Sequence, residues 1–263
     1  MIPSIPYKKK RLGQHFLHDK NIAKKITNSL TLAGKQYGTL IEIGPGEGML
    51  SQYLKDKNLE LYLIEVDKEL IPALTINFPE LRNHIINEDF LKFNLEKINA
   101  SQMGIIGNFP YNISSQIVFK IIENRLRIPE MVGMFQKEMA ERICAHPHSK
   151  TYGIISVLAQ AFYDTNKLFN VPKTVFIPPP NVESQVIRMI RKHPAELECN
   201  ENLFFKVVKL AFSQRRKKLR NTLKPLLTDI NRFDTSILDK RAEMLSLSEF
   251  ITLTKQIGET NIK

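Results

Sequence analysis

Apolar positions along the chain alternate between two rhythms. From Asn21 to Leu32 the residues Ile22, Ala23, Ile26 and Leu30 fall at helical spacing, and Thr39 to Ile43 then forms a short, mostly apolar run ending at glycines. The first pattern predicts an amphipathic helix and the second a buried strand. Further strand-like runs are Leu59 to Val66, His84 to Ile86, Ile105 to Ile106, Met131 to Phe135 and Ser184 to Ile190. Helical patterns lie between some of them, at Ser114 to Leu126 and Lys137 to Ala145. Strand and helix in alternation predict an α/β fold, a doubly wound Rossmann-like sheet.

After the last strand the rhythm changes. Val171 to Pro180 is rich in proline and reads as an ordered or semi-ordered loop, and Lys192 to Asn200 reads as a linker. Beyond it Glu201 to Phe212, Leu219 to Leu227 and Leu247 to Ile257 keep helical periodicity with no further strand pattern. The expected organisation is therefore a catalytic domain over 1–192, opened by a basic arm over 1–20, and a small all-helical domain over 193–263.

Composition narrows the class. With 263 residues, 43% of them hydrophobic, the chain can bury a full core. Lys and Arg total 38 against 27 Asp and Glu, a net charge of +11 that suits a protein meeting a polyanion. Cys144 and Cys199 are the only cysteines and have no partners at ligand spacing, so neither a disulfide framework nor a structural metal is expected. The start of the chain lacks the apolar core of a secretory signal, and no apolar run approaches the ~18 residues of a membrane span. A cytoplasmic protein with no membrane partner, acting as a monomer, is expected.

Candidate chemistry gathers where strands end. Glu42-Ile43-Gly44-Pro45-Gly46-Glu47-Gly48 follows the first strand directly, a glycine turn that lets backbone approach a nucleotide-like ligand. Its Gly-x-Gly-x-Gly spacing fits S-adenosylmethionine better than a dinucleotide. Glu65 ends the second strand, 21 residues after Gly44, where a carboxylate can accept from two ribose hydroxyls. Asp89 and Phe90 follow the third strand, where Asp89 can accept from the adenine amino group and Phe90 can cover the ring.

Asn108-Phe109-Pro110-Tyr111 comes after the fourth strand and matches a planar amino group as nucleophile. The Asn108 side-chain carbonyl and the Phe109 backbone carbonyl can accept the hydrogens of an adenine N6, freeing its lone pair. Pro110 fixes the turn, and Tyr111 offers a ring for an extruded base, worth ~1 to 3 kcal/mol in stacking.

Taken together, Gly13-Gln14-His15-Phe16-Leu17, the Glu42 to Gly48 turn, Asn108 to Tyr111 and Phe176-Ile177-Pro178-Pro179-Pro180-Asn181-Val182-Glu183-Ser184 resemble the ribosomal RNA adenine dimethyltransferases over nearly the whole chain. Within that family the chain is most similar to the KsgA-type enzymes of small-subunit biogenesis. The resemblance implies S-adenosylmethionine as methyl donor, S-adenosylhomocysteine as product, and dimethylation of two adjacent adenosines near the 3′ end of small-subunit ribosomal RNA. It implies cofactor contacts at His15, Leu17, Gly44, Glu65, Asp89 and Asn108, with Gly46 in the same turn. It also places Asn108, Pro110 and Tyr111 around the target base and Phe176 beside it as a second stacking ring. Two positions depart from the family pattern: His15 stands where Asn is usual, and Phe109 where Leu is more frequent.

The RNA itself is expected on two basic runs. Lys8-Lys9-Lys10-Arg11 precedes the first cofactor residue, and Arg215-Arg216-Lys217-Lys218 with Arg220 lies at a helix junction in the tail. Two rival readings remain open: a large-subunit adenine methyltransferase of the macrolide-resistance type, and a non-catalytic RNA-binding assembly factor on the same fold. The proline-rich Phe176 segment and the tail favour the small-subunit enzyme over the first. Intact Glu65, Asp89 and Asn108 to Tyr111 argue against the second.

Overall fold

In the computed structural model, which describes residues 15–227 and 233–260, the alternating patterns become a mixed sheet with helices and a helical tail. The elements are β1 (Phe16–Leu17), α1 (Lys20–Thr27), β2 (Thr39–Ile43), α2 (Ser51–Leu54), β3 (Glu60–Ile64), α3 (Ile71–Asn77), β4 (Ile85–Ile86), β5 (Met103–Asn108), α4 (Ser114–Glu123), β6 (Glu130–Gln136), α5 (Lys137–Ile143), α6 (Ile154–Phe162), β7 (Tyr163–Val171), β8 (Phe176–Ile177), β9 (Ser184–Arg191), α7 (Glu201–Ala211), α8 (Leu219–Thr222), α9 (Thr235–Leu238) and α10 (Leu247–Thr260). The basic residues Lys8, Lys9, Lys10 and Arg11 lie outside the described residues.

The main sheet has the order β4-β3-β2-β5-β6-β9-β7, with β4 through β6 parallel and β9 antiparallel to β6. Every residue of β2 is buried, as expected of a central parallel strand covered on both faces. The order reverses between β2 and β5, a switch point whose carboxyl edge is the usual ligand crevice of such sheets. Beside it, β1 and β8 form a two-stranded antiparallel pair in which Leu17 faces Phe176.

Local signals account for several boundaries. Asp19 caps α1 by accepting from the Asn21 and Ile22 amides, and Asn200 caps α7 by accepting from Leu203 N. Glu130, fully buried at the start of β6, accepts from Thr31 N and Oγ1, Leu32 N and the Tyr37 hydroxyl, which fastens the segment after α1 to the sheet.

Helix α6 and strand β7 are among the elements with no counterpart in the sequence reading. Helix α6 is mostly apolar and buried, and its polar residues Ser156 and Gln160 donate to Arg142 O, Ile143 O and Ala145 O. Strand β7 interrupts its apolar residues with Asp164, Asn166 and Lys167 and lies at the sheet edge, so it lacks clean alternation.

The chain divides into two compact units that are not contiguous in sequence. One comprises 1–140 and 166–190, the other 141–165 and 191–263. The first holds the parallel strands around a core of Leu40, Leu63, Ile106, Val132, Met134 and Val186. The second gathers α6 with the tail, where α6 packs against α7 and α10. The excursion at 141–165 thus falls inside the stretch expected to form one domain, because the apolar surface of α6 is covered by helices of the tail.

Candidate active site

Four parallel strands deliver their carboxyl ends to one side of the first unit. From β2 the chain enters the glycine turn, where Gly44 and Gly46 hold left-handed φ values of 63° and 59°, favourable only without a side chain. A Cβ on Gly44 would lie 4.0 Å from the Pro110 ring, so the cofactor turn and the acceptor turn adjoin. Gly44 N donates to Ile64 O at 2.9 Å, tying the turn to the end of β3.

Glu65 stands just past β3 and is 3% exposed. Its Oε2 accepts from Gly46 N at 3.1 Å and its Oε1 from Asp67 N at 2.9 Å. Burial pushes its pKa up, while those backbone amides pull it back. Each oxygen keeps a further lone pair for a hydroxyl donor. Glu42, the last polar residue of β2, is buried behind it and accepts from Ser51 Oγ at 2.6 Å. Burial raises the Glu42 carboxyl to about 8, opposed by the Ser51 bond and reinforced by the Glu65 charge.

After β4, Asp89 Oδ1 accepts from Leu91 N at 2.9 Å and Phe90 is buried. Asn87 Nδ2 donates to Glu65 O at 2.8 Å, joining this loop to the end of β3.

The acceptor motif closes the opposite side. Asn108 Nδ2 donates to His15 O at 2.8 Å, which fixes the amide so that Oδ1 is the atom left to accept. The His15 ring contacts Pro178 O through Nδ1 at 2.8 Å. A carbonyl only accepts, so Nδ1 carries a proton in this contact. Tyr111 has its hydroxyl 2.6 Å from Ser184 Oγ and its ring 5.4 Å from the His15 ring. Phe109 lies buried against β6, on the space left by Gly133 and edge-on to Phe135.

These groups enclose a cavity of about 210 Å³. His15, Leu17, Gly44, Gly46 and Glu65 border it on one side; Asp89, Phe90, Asn108 and Pro110 border it on the other. Two expected site residues stand apart. Tyr111 is half-buried behind Pro110 in sequence and does not line the cavity. Phe176 is 2% exposed, beside its backbone partner Leu17 in the core.

Sequence reasoning also passed over residues that border the cavity. Glu42 was part of the turn but had no role, since a strand residue gives no sign that its carboxyl is buried. Val66 lines the cavity with 52% of its surface exposed. The signal for it was an apolar residue placed directly after a strand-end carboxylate, with no strand left to bury it. Asn112 and Ile113 complete the acceptor side.

In the second unit the basic run divides. Arg215 donates through Nη2 to Lys150 O at 2.5 Å and Tyr152 O at 3.2 Å. Lys218 and Arg220 share one carboxylate oxygen of Asp239 at 3.1 and 2.6 Å. Arg216 and Lys217 are exposed, and no ion pair is recorded for either among the described residues.

Comparison with known proteins agrees with this arrangement. The family model described as ribosomal RNA adenine dimethylase matches residues 6–257. A protein of Flavobacterium johnsoniae named ribosomal RNA small subunit methyltransferase A is 58% identical over 257 residues, covering 97% of each chain. One of the same name from Cytophaga hutchinsonii is 51% identical, covering 95% of this chain and 97% of its own. Among solved structures, a dimethyladenosine transferase from Plasmodium falciparum superposes with a TM-score of 0.73 at 26% identity, over 94% of this chain and 98% of that one. The 23S rRNA methyltransferase ErmE superposes at 0.70 with 20% identity, over 92% and 99%, a likeness of fold. With strand ends, glycine turn and acceptor motif assembled around one cavity, and with a family match across almost its whole length, the chain belongs to the ribosomal RNA adenine dimethylase family.

Proposed function

We propose that this protein uses S-adenosylmethionine to dimethylate the N6 amino groups of two adjacent adenosines near the 3′ end of small-subunit ribosomal RNA, in the cytoplasm, while the subunit is being assembled. The observation that carries this reading is the orientation of Asn108. Because its Nδ2 is committed to His15 O, its Oδ1 faces an incoming amino group as an acceptor.

The residues present fit the methyl donor. Glu65 is a buried carboxylate with lone pairs to spare for ribose hydroxyls, and Val66 offers an exposed apolar face for a purine beside Asp89. When bound, S-adenosylmethionine supplies a methyl group on a sulfur that is its own leaving group. Asn108 Oδ1 and Phe109 O would accept the N6 hydrogens, turning the nitrogen lone pair out of the ring system and toward the methyl carbon. Pro110 lies against Gly44, so the acceptor turn and the cofactor turn adjoin and would hold the two reactants near one another. Methyl transfer would form the N–C bond as the C–S bond breaks, and the proton on the methylated nitrogen would leave to water without a side-chain base. Tyr111, tied to Ser184, would stack on the extruded base.

Support for the small subunit comes from relatives at 58% and 51% identity that bear that name. The catalytic part would run to about residue 192, with the helical remainder and the basic arm meeting RNA. The test is single-turnover transfer of labelled methyl to immature small subunits, with a binding assay on the same preparations. Dimethyladenosine should form in small-subunit RNA and not in large-subunit RNA. Transfer to large-subunit RNA instead would overturn the substrate assignment.

A further inference from the structure

The segment between β4 and β5 is held by two cations that reach onto backbone carbonyls. Lys120 of α4 places Nζ 2.5 Å from Phe90 O, 3.1 Å from Leu91 O and 2.5 Å from Phe93 O, and 4.9 Å from the centroid of the Phe90 ring. An ammonium has three donors, so these carbonyls match its full capacity. Arg127, just past α4, does the same further along, with Nη2 at 3.0 Å from Ile98 O and 2.6 Å from Ala100 O. The chemistry is alike and the location is not. Only Lys120 holds residues that border the cavity, Phe90 and Leu91.

One peptide plane makes the connection specific. The carbonyl of Phe90 accepts from Lys120, and the N–H on the same rigid peptide, that of Leu91, donates to Asp89 Oδ1 at 2.9 Å. Lys120 therefore orients the Asp89 carboxylate through a single planar group, and polarises the N–H that holds it. Asp89 Oδ1 takes this bond, and the residue borders the cavity. Burial lowers the Lys120 pKa, while the nearby charges of Asp89, Glu123 and Glu88 act to raise it. Lys120 also lies on the helix that begins just after the acceptor motif, where Ser114 Oγ donates to Tyr111 O at 3.0 Å.

We propose that Lys120 is a positioning residue for the adenine of the methyl donor, setting Asp89 through the Phe90–Leu91 peptide so that the site prefers a purine bearing an amino group. The proposal rests on the reading that Asp89 accepts from that amino group. The established acceptor motif has no part in it, since the purine concerned belongs to the donor and not to the RNA.

The experiment is calorimetric binding of two probes to the full chain: S-adenosylhomocysteine, and its inosine counterpart with a carbonyl in place of the amino group. The wild type should favour the adenosine probe. Lys120→Met should weaken it about ten-fold or more and shrink the preference, because three charge-assisted bonds are lost and Asp89 is released. Arg127→Met removes a clamp of the same kind from the same segment; it should lower the thermal midpoint while leaving both affinities within about two-fold. Lys120→Arg keeps the charge but cannot reproduce three convergent donors, and should show a smaller loss of preference; it decides the matter if Lys120→Met does not fold. An unchanged preference and unchanged affinity in a folded Lys120 variant overturn the proposal, as does an equal effect from Arg127→Met. Asp89→Asn tests the underlying reading separately. If it leaves the preference intact, the role of Asp89 is wrong, and Lys120 is then judged on affinity for S-adenosylhomocysteine against Arg127→Met alone.

Discussion

The cavity in the first unit and the basic run in the second were both conspicuous as sequence, yet they differ in how single residues are used. Around the cavity each polar group has one position and one set of partners, such as Asn108 on His15 or Glu65 on Gly46 and Asp67. In the run from Arg215 to Arg220, residues of the same charge have opposite uses. Arg215 ties down the backbone at Lys150 and Tyr152, Lys218 and Arg220 share Asp239, and Arg216 and Lys217 are exposed. A buried polar site is specified residue by residue because an unmatched group there is costly. An exposed charge run tolerates reassignment because each pair is worth little.

Substitutions should expose this contrast, and the largest effect belongs to Asn108. Asn108→Ala removes a positioned acceptor and should lower methyl transfer by two or more orders of magnitude, as for other preorganised donors and acceptors, while binding to immature subunits stays near normal. Near wild-type single-turnover transfer by the folded variant would break the contrast at its strongest point.

Glu65→Ala comes next. It leaves Gly46 N and Asp67 N without their acceptor and deletes the ribose partner, so affinity for S-adenosylmethionine should fall about ten- to a hundred-fold, with RNA binding unaffected. Calorimetry on the free protein measures this directly.

On the basic run, Arg216→Ala with Lys217→Ala should flatten the dependence of RNA affinity on salt by up to about two counterions. Arg215→Met should instead lower the thermal midpoint and leave the salt slope unchanged. If the two variants altered the slope alike, the division of the run into structural and RNA-facing cations would be wrong.

The smallest effect concerns Glu42 and pH. In the folded protein its carboxyl titrates at about 8, against an ordinary value of 4.5. The folded state therefore binds the extra proton between those limits, so stability is greatest at the acidic end and declines as pH rises through the window. Glu42→Gln keeps the Ser51 hydrogen bond available and cannot ionise. Its thermal midpoint should vary less between about pH 5 and 8 than that of the wild type. An equal pH dependence would show that Glu42 is not the responsible group.

Much of the fold was legible because its determinants are local. The apolar runs of β2, β5 and β6 and the capped starts of α1 and α7 carry their periodicity in neighbouring residues. The cavity was legible for a related reason: in a parallel sheet every strand ends on the same edge, so a glycine turn, a carboxylate and an acceptor motif after successive strands must converge. What escaped depended on contacts distant in sequence. Helix α6 is mostly buried because distant tail helices cover it, and β1 and β8 pair across about 160 residues. Phe176 stands in a proline-rich loop, and only its pairing with the distant Leu17 shows how deeply it is buried. The use of Arg215 is set by Lys150, Tyr152 and Glu243, none of which is near it in the chain.

Phe109 and Gly133 carry one more implication, for how this site can change over generations. The Phe109 ring occupies the volume where a side chain at 133 would begin, and a Cβ there would collide with it. Gly133→Ala alone should be disruptive, and Phe109→Leu relieves only part of the collision, since the Phe135 ring would still lie 2.8 Å from that Cβ. A chain that keeps the aromatic ring in its acceptor motif is therefore held to a glycine 24 residues away on the next strand.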